Sequence, residues 1–456
     1  MTDAEVAVVG GGFAGLAAAD RLARSGRRVI VLEARDRVGG RSRSDRFDDG
    51  SWIDAGGQWL GPGHERMYAL ARRFGKTVWP MYVAGKNVLH RRGQRGLYKG
   101  TIPFVLPPAA LANLAWAFAA LEWQSRRVPL DTPWKAANAE ALDRQTFGDW
   151  MRRHLPNPDT HFLIEIVAET VFACHPDDLS LLHALFYFRS NAGVLRLTSS
   201  AGGAQQDRVE GGTQPIAASL AEAVIQAGSQ VMLDAPVRAI RDEGGEAVIE
   251  SDAGTVRARQ VIVATPPVLT REMDFAPGLP ENLRSWMDGT PPGRVIKCFA
   301  FYDRPFWREA GLSGSAVGDQ GPLKTIFDGT PPTADHAILC GFIEARDVDE
   351  WREKSMEARG EAVLACLERF FGPEALNATR YVDHCWVDEA WSRGCYAGMS
   401  KPGVVTKARV DFTHPCGRVH WAGTETASRW NGYLEGAVRS GERAADAVMR
   451  SLSSSV

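Results

Sequence analysis

The feature that most constrains this chain is a β-branched run opening into a glycine turn, Val6-Ala7-Val8-Val9-Gly10-Gly11-Gly12-Phe13-Ala14-Gly15. An Ala-rich stretch of helical spacing follows, and a second apolar run, Val29 to Leu32, ends in Glu33. Strand, G-x-G-x-x-G turn, helix, strand and acid in that order predict a βαβ unit that holds a dinucleotide. Gly10 allows the tight turn, Gly12 lets backbone N–H groups approach a pyrophosphate, and Gly15 lets helix and strand pack closely. The pyrophosphate is expected on the positive end of the helix that starts near Phe13 and Ala14. Glu33 stands 21 residues after Gly12, placed to bind ribose hydroxyls and to repel a 2′-phosphate, which argues against NADP.

At 456 residues the chain exceeds one ordinary core, which predicts two large domains. The balance of 53 basic against 55 acidic residues gives no reason to expect nucleic acid as a partner. The seven cysteines never form C-x-x-C, so no metal and no disulfide framework is expected. The first strand begins within a few residues of Met1, leaving no room for a signal peptide. Ala109 to Trp123, the most apolar stretch, is too short to span a bilayer and predicts a buried or amphipathic helix. The polar end, Met449 to Val456, offers no membrane anchor, and the whole reads as a reduced cytoplasmic protein.

Beyond Glu33, Ala34-Arg35 leads into a second glycine pair, Gly39-Gly40-Arg41, which could bring backbone and guanidinium to the same cofactor's phosphates. A third glycine turn is Gly56-Gly57-Gln58-Trp59. Residues 80 to 205 read as a mostly helical insert, with helices over Leu111–Arg126, Phe147–His154, Phe162–Phe172 and Leu179–Ser190. Gln230–Leu233, Val237–Asp242, Ala247–Ser251 and Thr255–Ala258 read as a small antiparallel meander, delivering the chain to a buried strand at Gln260 to Ala264. Strand-like runs at Arg294–Tyr302 and Ala337–Ile343 and a helix at Ser355–Phe371 follow. The chain then closes with an apolar strand into a glycine turn, Arg418 to Glu425, and a helix over Tyr433–Met449. The expected fold is α/β: a discontinuous Rossmann-type domain from residues 1–79, 208–284 and 389–456, with a mixed α+β substrate domain from 80–207 and 285–388.

Several motifs in one order resemble the flavin-containing amine oxidases, and within them a bacterial monoamine oxidase-like protein. They are Gly10–Gly15 with Glu33 and Gly39-Gly40-Arg41; Asp131-Thr132-Pro133-Trp134; Gly211-Gly212; Val295-Ile296-Lys297-Cys298; Trp391-Ser392-Arg393-Gly394-Cys395-Tyr396; and Ala422-Gly423-Thr424-Glu425 through Gly432-Tyr433. The resemblance covers nearly the whole chain and implies FAD in a glutathione-reductase-like FAD fold. On that reading Glu33 holds the adenosine ribose, Arg41 lies near the phosphates, Glu425 contacts the phosphate–ribityl region, and Val237 joins the cofactor's surroundings. The last helix would point its N-terminus at the isoalloxazine.

The same resemblance places Lys297 within reach of flavin N5 through a water, and makes Tyr396 and Tyr433 an aromatic cage for the amine. Trp386 and Trp430 would pack near the ring system. Cys395 matches the cysteine joined through sulfur to the flavin 8α-methyl, although Arg393 stands where the monoamine oxidases usually carry glycine. Thr198, Gln205, Thr325 and Phe327 fall at the family's entrance and pocket, with Phe186, Tyr187 and Phe188 as further lining candidates. The implied reaction is FAD-dependent oxidative deamination of a small hydrophobic primary amine, arylalkyl or alicyclic, giving aldehyde or ketone, ammonia and hydrogen peroxide. No side-chain base is required. A polyamine oxidase, an L-amino-acid oxidase and a non-catalytic flavin-binding scaffold are the alternatives. The expected partners are the amine and O2, and a homodimer stays open.

Overall fold

The computed structural model describes residues 3–453. Two large sheets organise them. The first has eight strands, in the order Asp274–Ala276, Val237–Asp242, Ala247–Ser251, Gly254–Val263, Ala4–Val9, Val29–Leu32 and Gln230–Met232, with Val419–Trp421 paired beside Gly254–Val263. Ala4–Val9 lies parallel to both neighbours, Val6 opposite Val29 and Gln260. Parallel strands covered on both faces read as unbroken β-branched runs, and every residue of Val29–Leu32 is buried. The helix Phe13–Arg24 leaves this sheet with no side-chain cap at Gly12, so its first N–H groups have no side chain to satisfy them. The last helix, Leu434–Ser453, packs on it so closely that a Cβ at Gly441 would strike the Ala14 carbonyl.

The expected four-stranded meander is redrawn. Gln230–Met232 pairs parallel with Val29–Leu32. Thr255–Ala258 is the start of one ten-residue strand, Gly254–Val263, pairing with Ala247–Ser251 on one side and Ala4–Val9 on the other. The polar Arg259-Gln260 does not interrupt it, because the ladder is made by backbone groups alone.

The second sheet runs Arg380–Cys385, Val295–Tyr302, Ala337–Glu344, Thr325–Asp328, Leu312–Gly318, Lys86–Arg91 and Gln94–Tyr98. The last two strands correct the expectation of a mostly helical stretch from residue 80. Arg91 faces Gln94 across a two-residue turn, and both Arg92 and Gly93 have positive φ, 51° and 76°. That backbone matches hairpin twist, but the polar edge residues hide the period-2 pattern. Beyond the hairpin the helices follow the sequence: Pro108–Ser125, Phe147–His154, Pro158–Phe172 and Leu181–Ser190. Thr146 and Asp149 close a reciprocal capping box on the second of these. Pro108–Ser125 buries Leu114 and Leu121 and exposes Trp116 and Trp123; among the described residues no helix is long and apolar enough to cross a membrane.

Candidate functional site

A long cavity starts at the carboxyl ends of the first two strands and reaches the second sheet, the side of a parallel sheet where ligands bind. Gly10, Gly12, Phe13, Ala14, Glu33, Ala34 and Arg35 line its beginning. Gly15 lies behind them, where a Cβ would run into the Gly10 carbonyl. Glu33 accepts from the Gly11 N–H at 2.7 Å and the Arg35 N–H at 2.9 Å, one to each oxygen, which leaves lone pairs on both for hydroxyl donors. Arg35 reaches the Ser392 hydroxyl at 2.7 Å, and its buried Nε has no partner. Val237 closes this end together with Trp391 and Ser392, which open the motif that ends in Tyr396, and with Arg238, which belongs to no motif in the sequence.

Gly40 and Arg41 continue the wall. Gly40 has φ of 58° and sits against Gly12, where a Cβ would come within 3.2 Å of the Gly12 Cα. Arg41 donates to both oxygens of Glu425, at 2.5 and 3.0 Å, and to the Tyr396 carbonyl at 2.9 Å. Glu425 sits directly behind Arg41. Its carboxylate is committed to Arg41 and to the Gly398 N–H, while its neighbours Gly423 and Thr424 do line the wall. Glu425 instead borders a second, smaller cavity that includes Asp131 and Trp134.

At the far end, Gly56, Gly57, Gln58 and Trp59 face Lys297, Cys395, Tyr396, Gly432 and Tyr433. Lys297 is central to the fully buried strand Val295–Tyr302, which carries its ammonium into the sheet interface. The ammonium donates to the Asp54 carbonyl at 2.6 Å, the Gly56 carbonyl at 3.0 Å and Gln58 Oε1 at 2.8 Å. Three N–H bonds meet three acceptors, so Lys297 holds the third glycine turn. Burial lowers its pKa to about 8 against the opposing pull of Cys340 and Asp54. Burial also pushes the Cys395 thiol up to about 12, with Arg41 and Lys297 opposing. Arg393 turns to a partly exposed ion pair with Glu272.

Three further expectations change. Trp386 is buried behind the cavity, its indole N–H donating to the Ala55 carbonyl at 2.8 Å, so it braces the turn and does not line the wall. Thr198 donates back to the Val194 carbonyl of its own short helix, at 3.2 Å. Thr325 is buried beside Thr170, 3.4 Å between hydroxyls, and Thr170 takes its place on the wall. Gln205 and Phe327 do line the cavity, with Phe327 edge-on to Trp59 at 5.2 Å. Of the three helix aromatics, Tyr187 lines it, 6.4 Å from Tyr433 ring to ring, while Phe188 is core and Phe186 borders the smaller cavity. Thr170, Val171 and Phe342 complete the pocket. They sit inside ordinary apolar helix and strand patterns, and nothing in those patterns marks a lining residue.

An uncapped helix end, a glycine cradle, a carboxylate with lone pairs to spare and an orphaned guanidinium N–H fit a dinucleotide. The family model for flavin-containing amine oxidoreductases matches residues 13–449. A Mycobacterium tuberculosis protein carrying the name flavin-containing monoamine oxidase AofH is 41% identical over 97% of this chain and 96% of its own. Amine oxidase [flavin-containing] B of Sus scrofa is 32% identical over 98% of this chain and 86% of its own. Among solved structures, putrescine oxidase bound to putrescine superposes with a TM-score of 0.93 at 30% identity, covering 98% of this chain and 99% of that one. Cyclohexylamine oxidase from Brevibacterium oxydans does so with 0.93 at 29% identity, covering 99% and 100%.

Proposed function

Because the chain belongs to the flavin-containing amine oxidase family and its cofactor is FAD, we propose that it oxidises a small hydrophobic primary amine, arylalkyl or alicyclic. The observation that carries this reading is the meeting of Tyr396 and Tyr433 with Trp59, Phe327, Phe342 and Lys297 at one end of the cavity. When bound, FAD would accept the electron pair from the amine, and O2 would then take that pair from the reduced cofactor and leave as hydrogen peroxide.

The protein orients the amine and keeps water out. Tyr396 and Tyr433 offer aromatic faces to the nitrogen and its α-carbon, and Trp59, Phe327 and Phe342 make the walls apolar. No histidine lines the cavity, and its two carboxylates are placed elsewhere: Glu33 is held by backbone N–H groups, Glu272 by Arg393. We therefore expect the amine to arrive neutral, since no histidine or carboxylate on the wall is positioned to take its proton. The helix Leu434–Ser453 begins at the wall through Leu434 and Ala437 and adds partial positive charge there. An amino-acid oxidase would need a free guanidinium as carboxylate clamp. The cavity's arginines are engaged, Arg35 with Ser392, Arg41 with Glu425 and Arg238 with Asp252.

We place the reaction in the cytoplasm on the strength of the cysteines, none of which is in a disulfide. The test is anaerobic mixing of the yellow protein with benzylamine, 2-phenylethylamine, cyclohexylamine, putrescine and L-phenylalanine. Bleaching of the flavin by the first three, with peroxide on admission of air, is expected. Bleaching by L-phenylalanine alone would overturn the reading.

A further inference from the structure

The strand Ala337–Glu344 brings Phe342 into the amine end of the cavity, and two residues on, the same face carries a carboxyl group that the proposed reaction leaves unused. Glu344 is 2% exposed. One of its oxygens accepts from the Tyr396 hydroxyl at 3.0 Å and the other from the Thr170 hydroxyl at 3.1 Å. Both donors line the cavity, so Glu344 stands directly behind two hydroxyls that an amine's tail can meet. Its charged surroundings are Glu169, adjoining Thr170, and Lys324, which bridges Glu169 at 2.7 Å and Asp347 at 2.9 Å. Glu165 lies one turn from Glu169, between His161 and His175.

An ionised carboxylate only accepts hydrogen bonds. With Glu344 ionised, the hydrogens of Tyr396 and Thr170 are both committed to it, and their oxygens turn lone pairs toward the cavity. With Glu344 neutral, its own O–H donates to one of the two hydroxyls; the hydrogen of Tyr396 is then free to point into the cavity, and that of Thr170 to point there or toward Thr325 Oγ1, 3.4 Å away.

Resting on the amine reading of the site, we propose that Glu344 determines specificity by setting the hydrogen-bond polarity of the pocket wall. In its ionised form the pocket selects amines whose tail carries a donor, a hydroxyl or a second ammonium. The change falls within reach of ordinary buffers. Burial pushes the carboxyl up to about 8, opposed by the hydrogen bonds from Tyr396 and Thr170 and by Lys324, and reinforced by Glu169.

The experiment compares primary amines of matched length and basicity with hydrocarbon, hydroxyl and ammonium tails, across the pH range around 8. The ratio of kcat/KM for tailed to plain amine cancels the ionisation of the reacting nitrogen. Hydroxyl and ammonium ratios should both rise about fivefold to tenfold as pH increases through the titration of Glu344. Glu344→Gln, whose amide offers one acceptor and one donor side at every pH, should fix both ratios at their low-pH values. Thr170→Val removes one cavity-facing oxygen while keeping Glu344, and should lower the high-pH ratios; it stands in if the glutamine variant does not fold. Flat ratios in the unaltered protein, a rise retained in Glu344→Gln, or a rise confined to the ammonium tail would each overturn the proposal. Binding of the same tails is read separately from the flavin spectrum without oxygen. Binding with the expected pH dependence but without bleaching would remove the amine oxidation and keep the role of Glu344.

Discussion

Arg41 and Glu425 form a buried two-pronged ion pair, 2.5 and 3.0 Å, across 384 residues of sequence. It joins the second glycine turn to the last one, and both turns line the cavity. Burial would raise the Glu425 carboxyl, but Arg41 holds it below the ordinary carboxylate range. Glu425→Ala leaves a buried guanidinium without its charge partner and is expected to cost about 3–5 kcal/mol in urea unfolding, with a lower fraction of protein that takes up FAD. Because the carboxyl is depressed in the folded state, the pair stabilises fully above the unfolded carboxylate range and is lost as pH falls through its folded value. Acid titration of the unaltered protein should show loss of folded structure on that limb, read from tryptophan fluorescence, and Glu425→Gln should lack the dependence.

Lys297 is expected to act after the amine has been oxidised. Lys297→Met should leave anaerobic flavin bleaching by the amine within a few-fold of normal. It should slow the reaction with oxygen about 100-fold, because a fixed positive charge is removed from a dry site. In the unaltered protein the oxygen step should slow as pH rises past about 8, where the ammonium is lost. The folded pKa lies below that of an ordinary lysine, so holding this charge costs stability below about pH 8, and stability recovers as pH rises toward the unfolded value. Stopped-flow measurement of the two half-reactions separates the effects.

Cys395 lines the cavity and is 4% exposed, which suits a thioether to the flavin. Acid precipitation of the yellow protein should carry the colour into the pellet, and Cys395→Ala should move it to the supernatant. Colour in the supernatant from the unaltered protein would exclude the bond. Since burial keeps the thiol protonated, attachment is expected to follow FAD binding and to proceed slowly, visible as a growing pellet fraction on incubation with FAD.

Gly15→Ala tests the helix–strand contact beneath the nucleotide end. The added methyl collides with the Gly10 carbonyl, a backbone atom with nowhere to move. A loss of about 1–3 kcal/mol in thermal unfolding is expected, with a lower fraction of protein that takes up FAD. Gly26→Ala, at a position where a Cβ meets nothing, controls for the change in chain entropy, although its φ of 81° adds local strain.

The nucleotide end was legible because glycine spacing reports backbone geometry directly, and only Gly15 tolerates the approach of Gly10. Lys297 stands out because an ammonium between Val295, Ile296, Cys298 and Phe299 needs a reason, whereas Tyr396 and Tyr433 stand out through the family resemblance alone. The amine end was harder to read. Thr170 and Phe342 lie in apolar runs whose periodicity is the same whether a face meets core or cavity. Glu344 ends a strand in sequence, where an acid would ordinarily reach solvent, and only the packing of Thr170 and Tyr396 against it reveals its burial. Thr198 and Thr325 were misplaced by one layer, since a threonine bonding its own helix and one facing the pocket look alike in sequence. The hairpin at residues 86–98 was missed because its turn is Arg92-Gly93 in place of the commoner Asn-Gly.

The contact of Gly441 with Ala14 sets the order in which the molecule can be made. The helix that carries Ala14 emerges early in synthesis, but the face it must bury is supplied by the last helix. The nucleotide cradle therefore waits for nearly the whole chain, and a nascent protein halted before residue 434 has glycine turns without the partner that holds them in place.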